Sequence, residues 1–241
     1  MLNTFMFGGE LSTEYGILIT ERPKSVRPER DITKIEIPGR SGDLIIDNGR
    51  YKNIDVSYKC EAIHNVSVFS SIHEQVQAIN IWLSKSPGTY AELKDTYNNS
   101  FFRQALSVSK TEYEFPAPGI AKFTVKFYCK PFLYSVEGQK TIALTGAATL
   151  YNPYYVAAQP YIKIYGSGNT ALKINGTTYT VNGIDGYIVI DSELGDAYKE
   201  NALQSDKITA AAFPVLLPGE NTISWTGTAT KIEIVPRWCT V

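Results

Sequence analysis

The sequence predicts a mainly β protein built in two parts. Three observations carry that prediction. Apolar and polar residues alternate at period two over most of the chain. One stretch, and one only, switches to a helical period. Turn-forming pairs then punctuate the second half at intervals of roughly ten residues, the spacing of a β-sandwich.

The strands come first. Ile54, Val56, Tyr58 and Cys60 alternate with Asp55, Ser57 and Lys59, and Phe123, Val125, Phe127 and Cys129 alternate with Lys122, Thr124, Lys126 and Tyr128. Ile162 and Ile164, and later Ile232 and Ile234, repeat the pattern. One wet face and one dry face suit antiparallel sheets. The helical stretch starts at Ser71 with Glu74 three residues on, the spacing of a capping box. Ile72, Val76, Ile79 and Leu83 then share one helical face, and Pro87-Gly88 stops the helix. In the second half, Asn175-Gly176 predicts a two-residue hairpin that sets Leu172 opposite Tyr179. Pro218-Gly219 predicts another turn before Thr222, and Gly166-Ser167-Gly168 a turn between two strands. Pro131 and the polar run Glu137-Gly138-Gln139-Lys140 place a boundary near residue 135, so the expected domains are 1–135 and 136–241.

Residues 22–51 stand apart. They are dense in charge and turn residues and poor in core material, which predicts an arm or hairpin reaching beyond its own domain. Arg22, Arg27, Arg30, Pro38, Gly39, Arg40, Gly42, Arg50 and Tyr51 are its candidate interface residues. The basic group Arg22, Lys24, Arg27 and Arg30 is opposed by Glu21, Glu29 and Asp31, as expected of salt bridges to a neighbouring subunit. Pro38 before Gly39 predicts a type II turn, with the glycine at positive φ.

Composition narrows the function. With 241 residues, 44% hydrophobic and 20% charged, the chain belongs to the globular class. Lys plus Arg number 23 and Asp plus Glu 24, a balance that argues against a dedicated nucleic-acid binder. Cys60, Cys129 and Cys239 have no metal-ligand spacing and are expected as buried free thiols made in a reducing compartment. The opening residues 1–5 lack a basic, then apolar, leader, and no run reaches the length of a membrane helix, so neither a signal peptide nor membrane insertion is expected.

Catalytic patterns are weak. His73-Glu74 begins like a zinc-protease motif but lacks the second histidine, and His64 lies in a polar loop. There is no Gly-x-Ser-x-Gly elbow and no phosphate loop, and Gly166-Ser167-Gly168 is too short for a dinucleotide fingerprint. Asp191 and Glu193, with Asp196 and Glu200 beyond, could do acid–base work or bind calcium, but a solvated acidic loop is the simpler expectation. Tyr151, Tyr154, Tyr155, Tyr161 and Tyr165 offer rings on which sugars stack, though tyrosines on a sandwich ordinarily serve core or interface. The expectation is a protein without enzymatic activity, cofactor or metal.

Four passages in order resemble the distal tail protein (Dit) family of long-tailed, non-contractile bacteriophages. They are Phe5-Met6-Phe7-Gly8-Gly9 with Ser12 and Tyr15-Gly16-Ile17; Ile37-Pro38-Gly39-Arg40-Ser41-Gly42-Asp43-Leu44 with Gly49-Arg50-Tyr51; Tyr151-Asn152-Pro153-Tyr154 with Pro160 and Ile164 to Gly168; and Phe213-Pro214, Pro218 to Ile223 and Pro236-Arg237-Trp238. The resemblance spans almost the whole chain. It implies an N-terminal tail-tube-like β-sandwich with one helix and an extended arm, followed by a peripheral galectin-like or jelly-roll β-sandwich. It also implies a homohexameric ring in the virion of a phage or prophage, assembled in the bacterial host cytoplasm. That ring would join the tail tube protein to a tail-associated hub protein and receptor-binding proteins, and would pass the tape-measure protein and DNA without holding specific nucleic acid. The family has no catalytic residues to carry over. The alternative reading is a carbohydrate-binding adhesin acting through the second domain, and a third is a glycan-processing enzyme using Asp191 and Glu193.

Overall fold

The computed structural model describes residues 3–85 and 88–241. They form two compact units, 3–133 and 134–240, and each is built around its own apolar cluster.

The first unit contains strands β1 (Phe5–Phe7), β2 (Glu10–Leu11), β3 (Ile17–Glu21), β4 (Arg30–Ile35), β5 (Leu44–Tyr51), β6 (Ile54–Ile63), β7 (Ala91–Asp95), β8 (Phe101–Leu106), β9 (Tyr113–Ala117) and β10 (Ile120–Cys129), with helix α1 (Ile72–Leu83) between β6 and β7. One curled sheet runs in the order β2-β1-β7-β8-β10-β6-β3, with β9 also on β10. Its spine is the ten-residue antiparallel ladder of β6 and β10, which sets Phe123 beside Cys60, Val125 beside Tyr58 and Phe127 beside Val56. All six are buried, as the period-two pattern requires. Phe5, Phe7, Tyr58, Trp82 and Phe127 pack ring against ring beneath the sheet, and Tyr15 stacks on Trp82 at 4.5 Å.

Helix α1 seals this core. Ser71 accepts the N–H of Glu74 at 3.1 Å, the expected cap. The reciprocal bond differs by one residue: the Glu74 carboxylate takes the N–H of Ser70, at 2.7 Å, not that of Ser71. Val76, Ile79 and Leu83 are buried and Ile72 is half-buried. Two further residues share that face. Trp82 donates to the carbonyl of Phe7, and Gln75 is fully buried. The Gln75 amide donates to the carbonyls of Tyr15 and Ile63 and accepts the N–H of Asn65, so it stitches three segments to the helix. Of the expected stop, Pro87 lies outside the described residues; Gly88 has φ +78°.

The second unit contains β11 (Leu133–Ser135), which spans the division, β12 (Ile142–Leu144), β13 (Ala148–Asn152), β14 (Tyr161–Ile174), β15 (Thr177–Asp191), β16 (Asp196–Lys199), β17 (Ala202–Leu203), β18 (Ile208–Thr209), β19 (Gly219–Val235) and β20 (Cys239–Thr240). The expectation of short strands fails here: β14, β15 and β19 run for 14, 15 and 17 residues. Gly166-Ser167-Gly168 accordingly does not separate two strands. It lies inside β14, where the register slips against both neighbours. Such slips are bulges, and bulges let a long strand pass from one layer to the next. One end of the three-strand ribbon carries β12 on its β19 edge and β16 and β17 on its β15 edge; the other end carries β13 and β18. Inward residues of both ends, Ile162, Ile164, Ile232 and Ile234 with Leu172, Ile174 and Ile223, join one cluster. Gly227 marks the bend. Its φ is +98°, and a Cβ there would sit 2.3 Å from the carbonyl oxygen of Asn169. The Asn175-Gly176 hairpin forms as expected, with Leu172 opposite Tyr179.

Candidate functional site

Strands β4 and β5 pair only with each other. They form the hairpin that the charge and turn density of residues 22–51 predicts. Ile35 faces Leu44 and Thr33 faces Ile46, so these side chains share one face; Lys34 with Ile45, and Ile32 with Asp47, share the other. Ile35, Ile37, Leu44, Ile45 and Ile46 are each 38 to 51% exposed. A two-stranded ribbon has no core of its own and is marginal in water. This one is held at its base by side chains. Arg30 donates to both carboxylate oxygens of Asp47, at 2.9 and 3.0 Å, and its guanidinium lies 4.8 Å over the ring of Tyr51. Tyr51 packs edge-on against Phe132. Arg50 donates to Asp31 at 2.7 Å, Asn48 bridges Asp31 and Thr33, and Lys52 pairs with Glu29. The Arg30 guanidinium, then the Gly49 N–H, holds the Asp47 carboxyl below its ordinary range, and Arg50 does the same for Asp31.

At the tip, the Arg40 N–H donates to the Ile37 carbonyl at 3.1 Å across Pro38-Gly39. Gly39 has φ +79°, the conformation that the third residue of a type II turn needs. Gly42 has φ +86°.

The nine candidate residues thus fall into three groups. Arg30, Arg50 and Tyr51 meet at the base. Pro38, Gly39, Arg40 and Gly42 form the tip. Arg22 and Arg27 lie on the segment that leads in, with the Arg22 guanidinium 5.4 Å over Tyr97. One expectation is corrected: Arg30 is paired with Asp47 across its own hairpin, not with Glu29 or Asp31, because antiparallel pairing brings residues 17 apart within hydrogen-bond reach. The apolar strip was missed. Its signal was the run Leu44-Ile45-Ile46 opposite Ile35-x-Ile37. Residues 22–52 also carry eight Lys and Arg against five Asp and Glu, net +3, while the rest of the chain carries fifteen against nineteen.

The acidic pair needs a second correction. Asp191 does not lie in a solvated loop; it is 2% exposed. Arg237 reaches it through both terminal nitrogens, at 2.6 and 2.9 Å, and the N–H groups of Glu193 and Leu194 complete its shell. Burial pushes this carboxyl up, but Arg237 and the two N–H groups outweigh it and leave the group below its ordinary range. A carboxylate so neutralised holds a turn together. The aromatic residues divide likewise. Lysines and Arg237 cover the rings of Tyr161, Tyr165 and Tyr187, Tyr154 packs against the core, and Tyr151 and Tyr155 are exposed.

His64 is half-buried with Nε2 3.0 Å from the Phe69 carbonyl oxygen, and His73 is exposed beside Phe115. Cys60, Cys129 and Cys239 are free and buried, and burial pushes each thiol up to about 12. Among the described residues, no three His, Cys, Asp or Glu side chains are grouped to hold a metal, and no helix is long and apolar enough to cross a membrane. Two open depressions, of about 370 and 920 Å³, lie over the polar face of β6 and β10. Lys59 with Glu21, Lys126 with Asp55 and Lys122 with Glu61 line them as ion pairs.

No family model and no curated protein matches the sequence. Among solved structures, the chain is similar to the Dit (gp 19.1) protein of SPP1, described as a paradigm of the hub adsorption apparatus in phages that infect Gram-positive bacteria. The TM-score is 0.70 at 15% identity, over 97% of this chain and 98% of that one. The two proteins share a fold from end to end.

Proposed function

We propose that this chain is a structural hub protein of a phage or prophage tail, a distal tail protein. The carrying observation is the likeness in fold to the SPP1 hub protein, which extends through both units and leaves almost no residue of either chain unmatched. On this reading residues 1–135 assemble and residues 136–241 project as a peripheral galectin-like domain. Six copies close a ring at the tail tip, join the tail tube to the hub and adsorption proteins, and pass the tape-measure protein and DNA. Assembly takes place in the host cytoplasm. No step calls for catalysis.

The arm supplies a physical reason to assemble. Its strip of Ile35, Leu44 and Ile46 lies in water in the monomer, and three half-exposed aliphatic side chains gain roughly 1 kcal/mol each or more when covered. Five of its cations, Arg22, Lys24, Arg27, Lys34 and Arg40, have no ion-pair partner among the described residues. The remainder of the chain is net acidic. A second copy of this chain therefore complements the arm in charge, and covering the strip takes its apolar surface out of water.

The test is mass in solution. Light scattering on the full chain over a concentration series should show an oligomer, with six copies as the closed form. The double substitution Ile35→Asp and Ile46→Asp should leave a monomer with unchanged melting, because neither side chain belongs to a core. A wild-type chain that stays monomeric at every concentration, or a variant that assembles normally, would remove the support for this reading.

A further inference from the structure

The second unit carries an array of unused polar chemistry on the outward face of β13 and β19. Tyr151 is paired with Glu220, and Thr149 with Thr222. Alternation puts all four side chains on the same face, and all four are exposed. Directly opposed pairs stand about 5 Å apart and successive pairs about 7 Å along the strands. A pyranose ring fits within such a rectangle. Tyr151 is 66% exposed. No cation or second ring covers it among the described residues, in contrast to Tyr161, Tyr165 and Tyr187. Glu220 has no ion-pair partner among the described residues.

The array is rigid from below. Asn221, between Glu220 and Thr222, is fully buried. Its amide donates to the carbonyls of Leu217 and Gly219, and its oxygen accepts from the Leu217 N–H and from the Asn175 amide. Asn152, next to Tyr151, is buried too; it donates to Val156 and accepts the N–H of Tyr154. Fixed strands and two buried, hydrogen-bonded amides hold the exposed groups in place, which is what a weak polar site needs in order to bind at all.

We infer that Tyr151, Glu220, Thr149 and Thr222 form a binding site for a neutral hexose of a glycan. The ring offers a flat face to the C–H side of a pyranose. The carboxylate accepts from two neighbouring hydroxyls. The threonine hydroxyls donate and accept as the sugar requires. Charge selects the class: the one ionised group in the rectangle is negative and unneutralised, so uronates and phosphorylated sugars are repelled. Lys173, across from Ser224 and four residues along from Glu220, lies about 13 Å away and does not offset it. The four groups on this face are one ring, one carboxylate and two hydroxyls, a set that suits a polyhydroxyl ligand better than the apolar core of a protein interface. This inference does not depend on ring assembly, although several copies displayed together would raise avidity.

The test uses the full chain and ligand-observed NMR titration with methyl glucoside, galactoside and mannoside and their disaccharides, and with glucuronate as the acidic probe. A neutral sugar should bind with a dissociation constant on the order of millimolar, as befits one exposed ring and a few hydrogen bonds. Tyr151→Ala should weaken it at least about tenfold, with melting unchanged. Glu220→Gln should weaken neutral sugars severalfold and narrow the gap to glucuronate. Lys163→Ala, on the covered aromatic face, should change nothing. The inference is overturned if none of the neutral sugars saturates, if Tyr151→Ala retains full affinity, if glucuronate binds better than glucose, or if Lys163→Ala abolishes binding.

Discussion

Replacing Arg237 by alanine should destabilise the second unit more than an ordinary surface truncation would. Asp191 is buried and takes two hydrogen bonds from the guanidinium and two from backbone N–H groups. Alanine removes the counter-charge and leaves the carboxylate in place. Breaking a buried pair from one side costs about 3–5 kcal/mol. The Arg237 side chain is 21% exposed, so water reaches the vacated position and the lower end, about 3 kcal/mol, applies. In a unit of this size that is a fall in melting temperature of about 12–18 °C. The backbone allows an internal control. Arg237 has φ +55°, a strained value for any residue with a Cβ. Glycine relieves about 1 kcal/mol of that strain, so Arg237→Gly should be the more stable of the two variants although both lack the guanidinium. The acid dependence follows from the lowered carboxyl. Its stabilising contribution is complete above the unfolded-state value of about 4 and is lost as pH falls through the still lower folded-state value. The deficit of Arg237→Ala should therefore shrink on acidification below about pH 4. Denaturant titration followed by tryptophan fluorescence, at neutral pH and near pH 2.5, measures both. A deficit under about 1 kcal/mol at neutral pH, or one that is equal at the two pH values, would refute this account of the pair.

Gln75→Leu should cost about 3 kcal/mol or more, because it strands the carbonyls of Tyr15 and Ile63 and the N–H of Asn65 under helix α1; a melting temperature within two degrees of wild type would contradict it. Gly39→Val should strain the arm's tip by roughly 1–3 kcal/mol through its positive φ alone, since no atom lies within 4 Å of the new Cβ. Weakened assembly with normal melting is the expected result, and unchanged assembly the contrary one. The three thiols, each raised to about 12 by burial, should resist a thiol reagent at neutral pH until the chain unfolds; rapid labelling of the native protein would show that they are reachable. If the chain closes the proposed ring, the assembly should not bind DNA at moderate salt, since accumulated phosphate contacts would hold a polymer that such a ring must let slide. Salt-sensitive binding abolished by neutralising Arg22, Lys24, Arg27 and Arg30 would contradict this and show that the basic strip is open to a polyanion.

What was legible in the residues alone was whatever depends on near neighbours. The alternation at 54–60 and 123–129 names its own buried face, since a strand places successive side chains on opposite sides. Ser71 with Glu74, and Asn175 with Gly176, name a helix start and a hairpin, since caps and tight turns are settled within four residues. The hairpin arm was legible as a segment without core material, and so were the glycines of its tip. Only the tertiary structure decided the rest. The lengths of β14, β15 and β19 were hidden because the bulges near Gly168 and Gly227 break the period inside each strand, and a local reading takes a broken period for two strands. The burial of Asp191 was hidden because its partner, Arg237, lies 46 residues away and is delivered by the path of the chain. The burial of Gln75 was hidden because the carbonyls of Tyr15 and Ile63 and the N–H of Asn65 come to it from segments outside the helix. Arg30 looked like a cation for a neighbour until the register of the hairpin brought Asp47 across to it. Alternation, caps and turns are encoded where they occur, whereas ion pairs, buried amides and strand bends depend on which distant segments the fold brings together.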